Sequence, residues 1–374
     1  MPPIARRNLF HDRVRLTVTL TGITFAVVLM VVELGFFNGF SVTTTALMDH
    51  SGADLWIVSP KVPYIEQGVV FSERKLYQAR ATPGVESAEK FIVRFGTWKR
   101  ADGGHESVQL VGFNLDNPMG KPWNIVSGSI EDLRTPDAVM IDEDYAKKLG
   151  VSGLGQVVEI NDHRVRVVGF TQGIRSFTTS PYVFTRFKTA QNIVNMKEND
   201  TVFILVKALP GADIKQLRGD LAARLRDVDV LETRQFADRT RAYWMYTTGA
   251  GIGVLIAAML GLVVGIVVVT QTIYATTMDH LREYGTLKAM GAPNSYVYRV
   301  ILEQAGISAL LGYAMGMCVS VFVVHAGQKG GAAILLSWQM GVVIFLLTWV
   351  MCGIAAMVSI HKVIKLDPAM VFKN

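Results

Sequence analysis

Four stretches of this chain are long and apolar enough to cross a bilayer, and they restrict its fold more than any other feature. They run over about Leu16–Phe37, Gly249–Thr270, Val300–Val324 and Met340–Ile360. A hydrocarbon layer of about 30 Å needs about 20 residues of helix at about 1.5 Å each. Half of the 374 residues are hydrophobic, more than an average soluble domain carries, so a membrane protein is the class to test first. The first run is too long for a signal-peptide core, and no small-x-small cleavage site follows it. It is expected to stay as an anchor.

Lysine and arginine beside the spans set the expected orientation. Arg6, Arg7, Arg13 and Arg15 precede the first span, and Arg282, Lys288 and Arg299 lie between the second and third. Lys362, Lys365 and Lys373 follow the fourth, whereas the stretch between the third and fourth has only Lys329. Both tails and the 279–299 loop should therefore be cytoplasmic. The layout is a tail over 1–15, a transmembrane helix over 16–40, and a periplasmic α+β domain over 41–243. A second transmembrane helix over 244–272 leads to a cytoplasmic loop over 273–299. A third over 300–324, a short periplasmic loop over 325–337, a fourth over 338–361 and a tail over 362–374 complete it. The fold class is thus membrane α-helical, four transmembrane helices, with a large α+β extracytoplasmic domain between the first two. The net charge of +6 partly reflects this orientation. No basic stripe with interleaved aromatics accompanies it, so no nucleic-acid partner is expected.

The external domain holds no cysteine, because Cys318 and Cys352 both fall in spans. It must be stable without disulfides, and at about 200 residues it is long enough to bury its own core. Segments rich in β-branched residues predict strands at Asp54–Ser59, Val85–Trp98, Ser107–Phe113, Ala138–Ile141, Val157–Ile160, Val165–Phe170 and Val202–Lys207. Helices are expected at Glu73–Ala81, Glu143–Leu149 and Ile214–Leu225, with turns at Pro83-Gly84 and Pro210-Gly211. Two strand–helix–strand units, one from Asp54 to Val85 and one from Val202 to Leu231, flank a more β-rich segment over 105–195. A further helix is expected over Arg234–Tyr246, continuing into the second span.

Chemistry-bearing patterns are sparse. No G-x-x-x-x-G-K-[ST] loop occurs, so the chain should not bind and hydrolyse ATP by itself. No histidine pair has metal-ligand spacing, and no G-x-S-x-G elbow presents a serine. Gly103-Gly104 and Asp162-His163 read as hairpin turns. Glu33 is the one carboxylate in the first span, near its predicted outer end, where it can reach headgroups or water. Gly261/Gly265 and Gly312/Gly316 have the small-x-x-x-small spacing that lets helices approach closely. The spans hold too few polar residues to line a hydrophilic pore, which disfavours a small-ion channel.

One polar segment stands apart. Asp279-His-Leu-Arg-Glu-Tyr-Gly-Thr-Leu-Lys-Ala-Met-Gly-Ala292 reads as an amphipathic helix, with Leu281, Tyr284, Leu287 and Lys288 near one face. Gly291 and Pro293 form a stop signal. A helix held between two spans on one side of a bilayer is suited to receive a push from a soluble partner.

The arrangement resembles the MacB/FtsX-type permeases of ABC transporters. Arg282-Glu-Tyr-Gly-Thr-Leu-Lys-Ala-Met-Gly-Ala292 is similar to the signature R-E-I-G-x-x-[KR]-A-[LM]-G-A, and Glu303 to the glutamate that opens the next span. Asp137-Ala-Val-Met-Ile-Asp-Glu-Asp-Tyr-Ala-Lys-Lys-Leu149, Gly155-Gln-Val-Val158 and Val165-Arg-Val-Val-Gly169 resemble the external-domain pattern. Asp367-Pro368-Ala369 resembles the D-P-x-x-A tail, although Val371 and Phe372 depart from its continuation. Gly52-Ala-Asp-Leu-Trp56 makes the chain most similar to the DevC-type permeases.

The resemblance implies a permease subunit that couples ATP hydrolysis in a separate ATPase subunit to periplasmic movement, called mechanotransmission. Arg282, Glu283, Tyr284, Leu287, Lys288 and Gly291 are the expected ATPase-coupling residues. No cofactor is implied in this chain, with ATP and Mg in the partner ATPase. Implied partners are that ATPase, a second copy or a related permease, a membrane-fusion adaptor and an outer-membrane channel, in the bacterial inner membrane. Export of a lipid-like or amphiphilic substrate leads. An FtsX-like signalling permease that activates a cell-wall hydrolase, or a lipoprotein-releasing permease, is the alternative.

Overall fold

The computed structural model describes residues 13–178, 180–279, 283, 285–286, 290, 292–329 and 333–364. The chain forms two compact units, one from Phe40 to Gly251 and one from the segments on either side of it.

Four helices in the flanking segments have the length and composition of membrane spans. α1 is Arg13–Asp49, whose 37 residues make roughly 55 Å of helix, more than the hydrocarbon thickness. Its spanning part carries a stripe at helical spacing, Ile23, Ala26, Val27, Met30 and Val31, that is almost fully buried. Beyond Phe37 the helix runs on for another three turns and stops at Asp49; Gly52, at φ +70°, turns the chain away. The chain returns to the apolar unit with three further helices, Ala250–Asp279, Asn294–Lys329 and Trp338–Ile364. They bury Val269, Ala305, Ala309, Ile344, Met351 and Ala355 in the same core as the α1 stripe.

Between the last two of these helices, residues 333–337 have no regular secondary structure and lie along α1. The Leu335 amide donates to the Gly35 carbonyl at 3.1 Å, and Asn38 Nδ2 donates to the Leu335 carbonyl at 3.3 Å. Gly39 makes the approach possible, since a Cβ there would lie 1.6 Å from the Ala333 carbonyl oxygen.

The external unit is built on one long strand. In chain order its strands are β1 Leu55–Val58, β2 Phe71–Ser72, β3 Val85–Lys99, β4 His105–Phe113, β5 Ile125–Ser127 and β6 Ala138–Asp142. They continue as β7 Val157–Ile160, β8 His163–Thr171, β9 Tyr182–Arg186, β10 Asp200–Thr201, β11 Phe203–Ala208 and β12 Asp229–Glu232. The first half of β3, to Phe91, pairs with β11; the second, from Ile92, pairs with β4. Two lobes therefore share it.

In the first lobe the order β12-β1-β11-β3 is antiparallel throughout. Its helices α2 Arg74–Arg80 and α5 Ile214–Arg224 cover one face through Leu76, Ala79, Leu217 and Leu221. This interleaving of two strand–helix–strand units is the ferredoxin-like arrangement. The opposite face packs Trp56 edge-on to Phe91 and Phe203, each at 5.5 Å between ring centres.

The second lobe closes on itself. From β3 the pairing runs through β4, β9, β6, β8 and β7, and β7 returns to pair with β3. Trp98, Leu110, Val139, Ile141, Val167 and Val183 fill the ring, and the Trp98 indole donates at 3.0 Å to the carbonyl of Leu149, which ends the short helix α3 Ala146–Leu149. Closure removes the free edges that an open sheet of this size exposes.

Two expectations change. The sequence reading has no element over Tyr182–Ile193, yet β9 and the helix α4 Phe187–Ile193 lie at the centre of this lobe. The helix expected over Arg234–Tyr246 does not continue into the second span. Its α-helical part, α6, is Thr233–Ala242; a π-helical turn over Tyr243–Thr247 follows, and Gly249 at φ +75° breaks the path before Ala250. The physical cause is the left-handed glycine, which an α-helix cannot absorb.

Gly39→Ala is expected to destabilise the apolar unit by about 3 kcal/mol, because the backbone oxygen it meets cannot rotate away. Thermal unfolding in lipid nanodiscs reads this, with Gly253→Ala, where nothing lies within 4 Å, as the neutral control. Equal unfolding temperatures for the two variants would refute the close approach.

Candidate functional site

The polar segment between the second and third spans is described at only a few positions. Glu283, Gly285 and Thr286 are helical, with Glu283 exposed and Gly285 buried. The Met290 amide donates to the Thr286 carbonyl at 3.0 Å, a helical bond, and the Met290 side chain is exposed. Arg282, Tyr284, Leu287, Lys288 and Gly291 lie outside the described residues, as does Asp367-Pro368-Ala369. Past Pro293 the Tyr296 amide donates to the Pro293 carbonyl at 2.9 Å as the next helix begins. On its first turns Glu303 pairs with Arg299 at 3.1 Å. Proline suits this place, since its missing N–H is one the first turn leaves unpaired.

The structure places all four singled-out glycines against α1. A Cβ at Gly312 would lie 2.5 Å from Ile23, and one at Gly316 2.6 Å from Val27. Gly261 faces Glu33 and Leu29 at 3.2 and 3.4 Å, and Gly265 faces Ala26 and Met351 at 3.3 Å each. Both pairs therefore seat the second and third spans on the first within one chain. Glu33 is half-buried beside Gly261. Four buried hydroxyls in the spans, those of Thr277, Ser320, Thr348 and Ser359, each donate to the carbonyl four residues earlier on their own helix; those of Thr24 and Thr270 have no partner among the described residues.

In the external unit a cleft of about 580 Å³ opens where α2 and β3 meet the end of β4 and the start of α4. Its charges are largely matched. Lys90 reaches Glu73 at 2.6 Å and lies 4.6 Å over the Phe187 ring; Lys188 reaches Glu198 at 2.6 Å; Arg134 reaches Asp116 at 2.7 Å. Lys188 holds Glu198 below the usual carboxylate range, and Glu131 with Asp116 raises Arg134. α4 sits on β4 because Gly112 leaves room, a Cβ there falling 2.5 Å from that of Ala190. Below this helix the buried Gln191 donates to the carbonyls of Lys197, Glu198 and Asp200, tying down the following loop.

A second polar group is buried without such support. Glu66 lies in a one-turn 3-10 helix, Ile65–Gln67, and is only 6% exposed. Among the described residues neither of its carboxylate oxygens has a hydrogen-bond partner, nor has the indole Nε1 of Trp244. Burial pushes the carboxyl up to about 7, outweighing the lowering effects of its own backbone amide and of the nearby Trp244 indole, which is close without bonding geometry. Tyr64 stacks on Tyr243 at 4.3 Å, and Trp244 meets the Tyr64 and Phe177 rings edge-on at 5.2 and 4.5 Å. No local pattern in the sequence marks this cluster, because its members come from three distant segments. Asp142, also buried, is raised by desolvation although Ile174, Asp144 and Thr171 all donate to it. Among the described residues no group of three or more His, Cys, Asp or Glu could hold a metal ion.

A family model described as MacB-like periplasmic core domain matches residues 16–224, and one described as FtsX-like permease C-terminal matches 244–368. An uncharacterized ABC transporter permease of Mycobacterium tuberculosis is 24% identical over 381 aligned residues, covering 98% of both chains. The macrolide export ATP-binding/permease protein MacB of Escherichia coli is 20% identical over 399 aligned residues, covering 98% of this chain and 59% of MacB. Among solved structures, the periplasmic region of MacB from Actinobacillus actinomycetemcomitans aligns with a TM-score of 0.39 at 14% identity, over 50% of this chain and 93% of that one. The two family models together account for the external unit and for the helices that follow it, and the chain belongs to the MacB/FtsX-type family of ABC transporter permeases.

Proposed function

We propose that this chain is the permease subunit of a transporter in which a separate ATPase supplies the work and the external unit delivers it. The observation that carries the reading is the polar segment over 279–292, set between two spans of a chain that has no phosphate-binding loop. Glu283 and Met290 are exposed there, where a soluble subunit on the cytoplasmic side would meet them. With ATP and Mg in that partner, closure of the ATPase pushes the segment. The helices seated on α1 by Gly261, Gly265, Gly312 and Gly316 carry the displacement as packed elements. The external unit, outside the cytoplasmic membrane in this orientation, then changes conformation.

Cargo need not pass between the spans. The buried hydroxyls of Thr277, Ser320, Thr348 and Ser359 are satisfied within their own helices, so no polar lining is offered at these positions for a hydrated solute. That supports export of a lipid-like or amphiphilic molecule taken from the outer leaflet or the periplasm, with an adaptor and outer-membrane channel completing the route and a second permease copy completing the pair. Resemblance to DevC-type permeases through Gly52–Trp56 favours a separate ATPase, although the structure also gives these residues folding roles. Gly52 turns the chain just after α1, Asp54 accepts from Lys207 and the Ala208 amide, and Trp56 centres the core.

Glu283→Ala combined with Leu287→Ala is expected to cut stimulation of the co-expressed ATPase at least about tenfold, equivalent to about 1.4 kcal/mol of coupling. Unchanged ATP turnover and co-purification in the double variant would refute the coupling role. A cysteine at Asn114, in a chain with Cys318 and Cys352 replaced by serine, should react with a membrane-impermeant maleimide from the periplasmic side. Reaction only after the inner membrane is permeabilised would reverse the orientation. Co-purification with a peptidoglycan hydrolase in place of an adaptor would move the assignment to signalling.

A further inference from the structure

The buried Glu66 has a feature that packing alone does not explain: an acid removed from water with nothing to pair with. A carboxylate so placed is strongly disfavoured when charged, and the usual remedies are a cation, several donors or a proton. Among the described residues no cation takes that part. On β3, which packs against the Glu66 turn, Lys90 is held by Glu73, and Glu89 is held by Arg80 and Asn114. On α6, Arg239 pairs with Asp229 and Arg241 with Asp238. In the loop ahead of β9, Arg175 pairs with Asp144. The titratable groups that do face Glu66 are the phenols of Tyr64 and Tyr182, both held neutral by burial and raised further by the acid itself; Tyr243 stacks on Tyr64. The remaining remedy is the proton.

The covering side is equally unusual. Tyr243 and Trp244 open the π-helical turn Tyr243–Thr247, just before Gly249 and the start of the second apolar helix. A π turn holds one residue more than an α turn needs, and such turns shift register more readily than regular helix. The Trp244 indole N–H is buried here without an acceptor. Both faces of this contact thus carry an unmet polar group, so opening it would let water satisfy the indole and the carboxyl together.

We propose that the Glu66 turn and the π turn Tyr243–Thr247 form a proton-operated latch, packed while Glu66 is protonated and released when it gives its proton to water. The packed form binds the extra proton, so acid favours it. In the open form Glu66 has its ordinary value of 4.5, against about 7 in the packed form. The packed form's advantage is therefore complete below about 4.5, falls up to about tenfold per pH unit through that window, and is spent above about 7. Over the whole window the ratio of open to packed changes roughly 300-fold. The latch stands independently of how the ATPase couples, since every residue in it belongs to the external unit.

The test uses the full chain in nanodiscs, with Cys318 and Cys352 replaced by serine and spin labels on Gln67→Cys and Tyr246→Cys, both exposed positions. Pulsed electron resonance reads the label separation from about pH 5 to about pH 8, where the wild-type latch should gain at least tenfold in its longer-distance population. Glu66→Gln, which cannot ionise, should keep the short distance throughout, and Glu66→Asp should restore the pH response. Thermal unfolding of both variants confirms that they are folded. A wild-type distance that is independent of pH, or a pH response that persists in Glu66→Gln, would overturn the latch.

Discussion

Inside hydrocarbon every backbone amide must find its partner within its own segment, and the rest of this structure depends on that constraint. It turns four apolar runs into helices and leaves their association to shape, because lipid removes the hydrophobic drive between them. Shape here means glycine. Gly312 and Gly316 receive Ile23 and Val27, Gly261 and Gly265 admit Leu29 and Ala26, and Gly39 lets the 333–337 segment lie on α1. The first span becomes the helix on which the second and third rest, and α1 continues past the apolar run as one uninterrupted element.

The external unit solves the opposite problem, folding in water without disulfides. Its answer is to share β3 between an antiparallel lobe covered by helices and a lobe whose strands close into a ring. A strand paired along both halves ties the two cores together, so a displacement of one lobe is passed to the other through backbone hydrogen bonds. The polar groups buried in this unit are mostly met: Gln191 binds three carbonyls, and Asp142 takes three donors. Glu66 is the contrast, and it lies against the turn that precedes the second apolar helix in sequence.

Much of the architecture was legible in the chain. Strands with alternating or β-branched runs, such as Val85–Trp98 and Val157–Ile160, emerged within a residue or two, since side-chain period is a local property. β9 was hidden because Tyr182–Phe184 is buried on both faces and runs directly into a helix, leaving neither alternation nor a turn signal. The break at Gly249 was hidden by its apolar surroundings. Of the expected coupling residues, Glu283 is exposed on a helical turn, while the others in that group fall outside the described residues.

Composition and local pattern thus determined that this chain is a four-span membrane protein with an α+β domain after its first span, and the order of its motifs determined its family. These are properties of short windows, in which neighbouring residues decide helix, strand or span. Only the tertiary structure decided that the singled-out glycines face α1, that β7 returns to β3 to close a ring, and that Trp244 covers Glu66. Such contacts join residues far apart in the chain, and their energies come from burial and fit at a meeting point that no local period encodes.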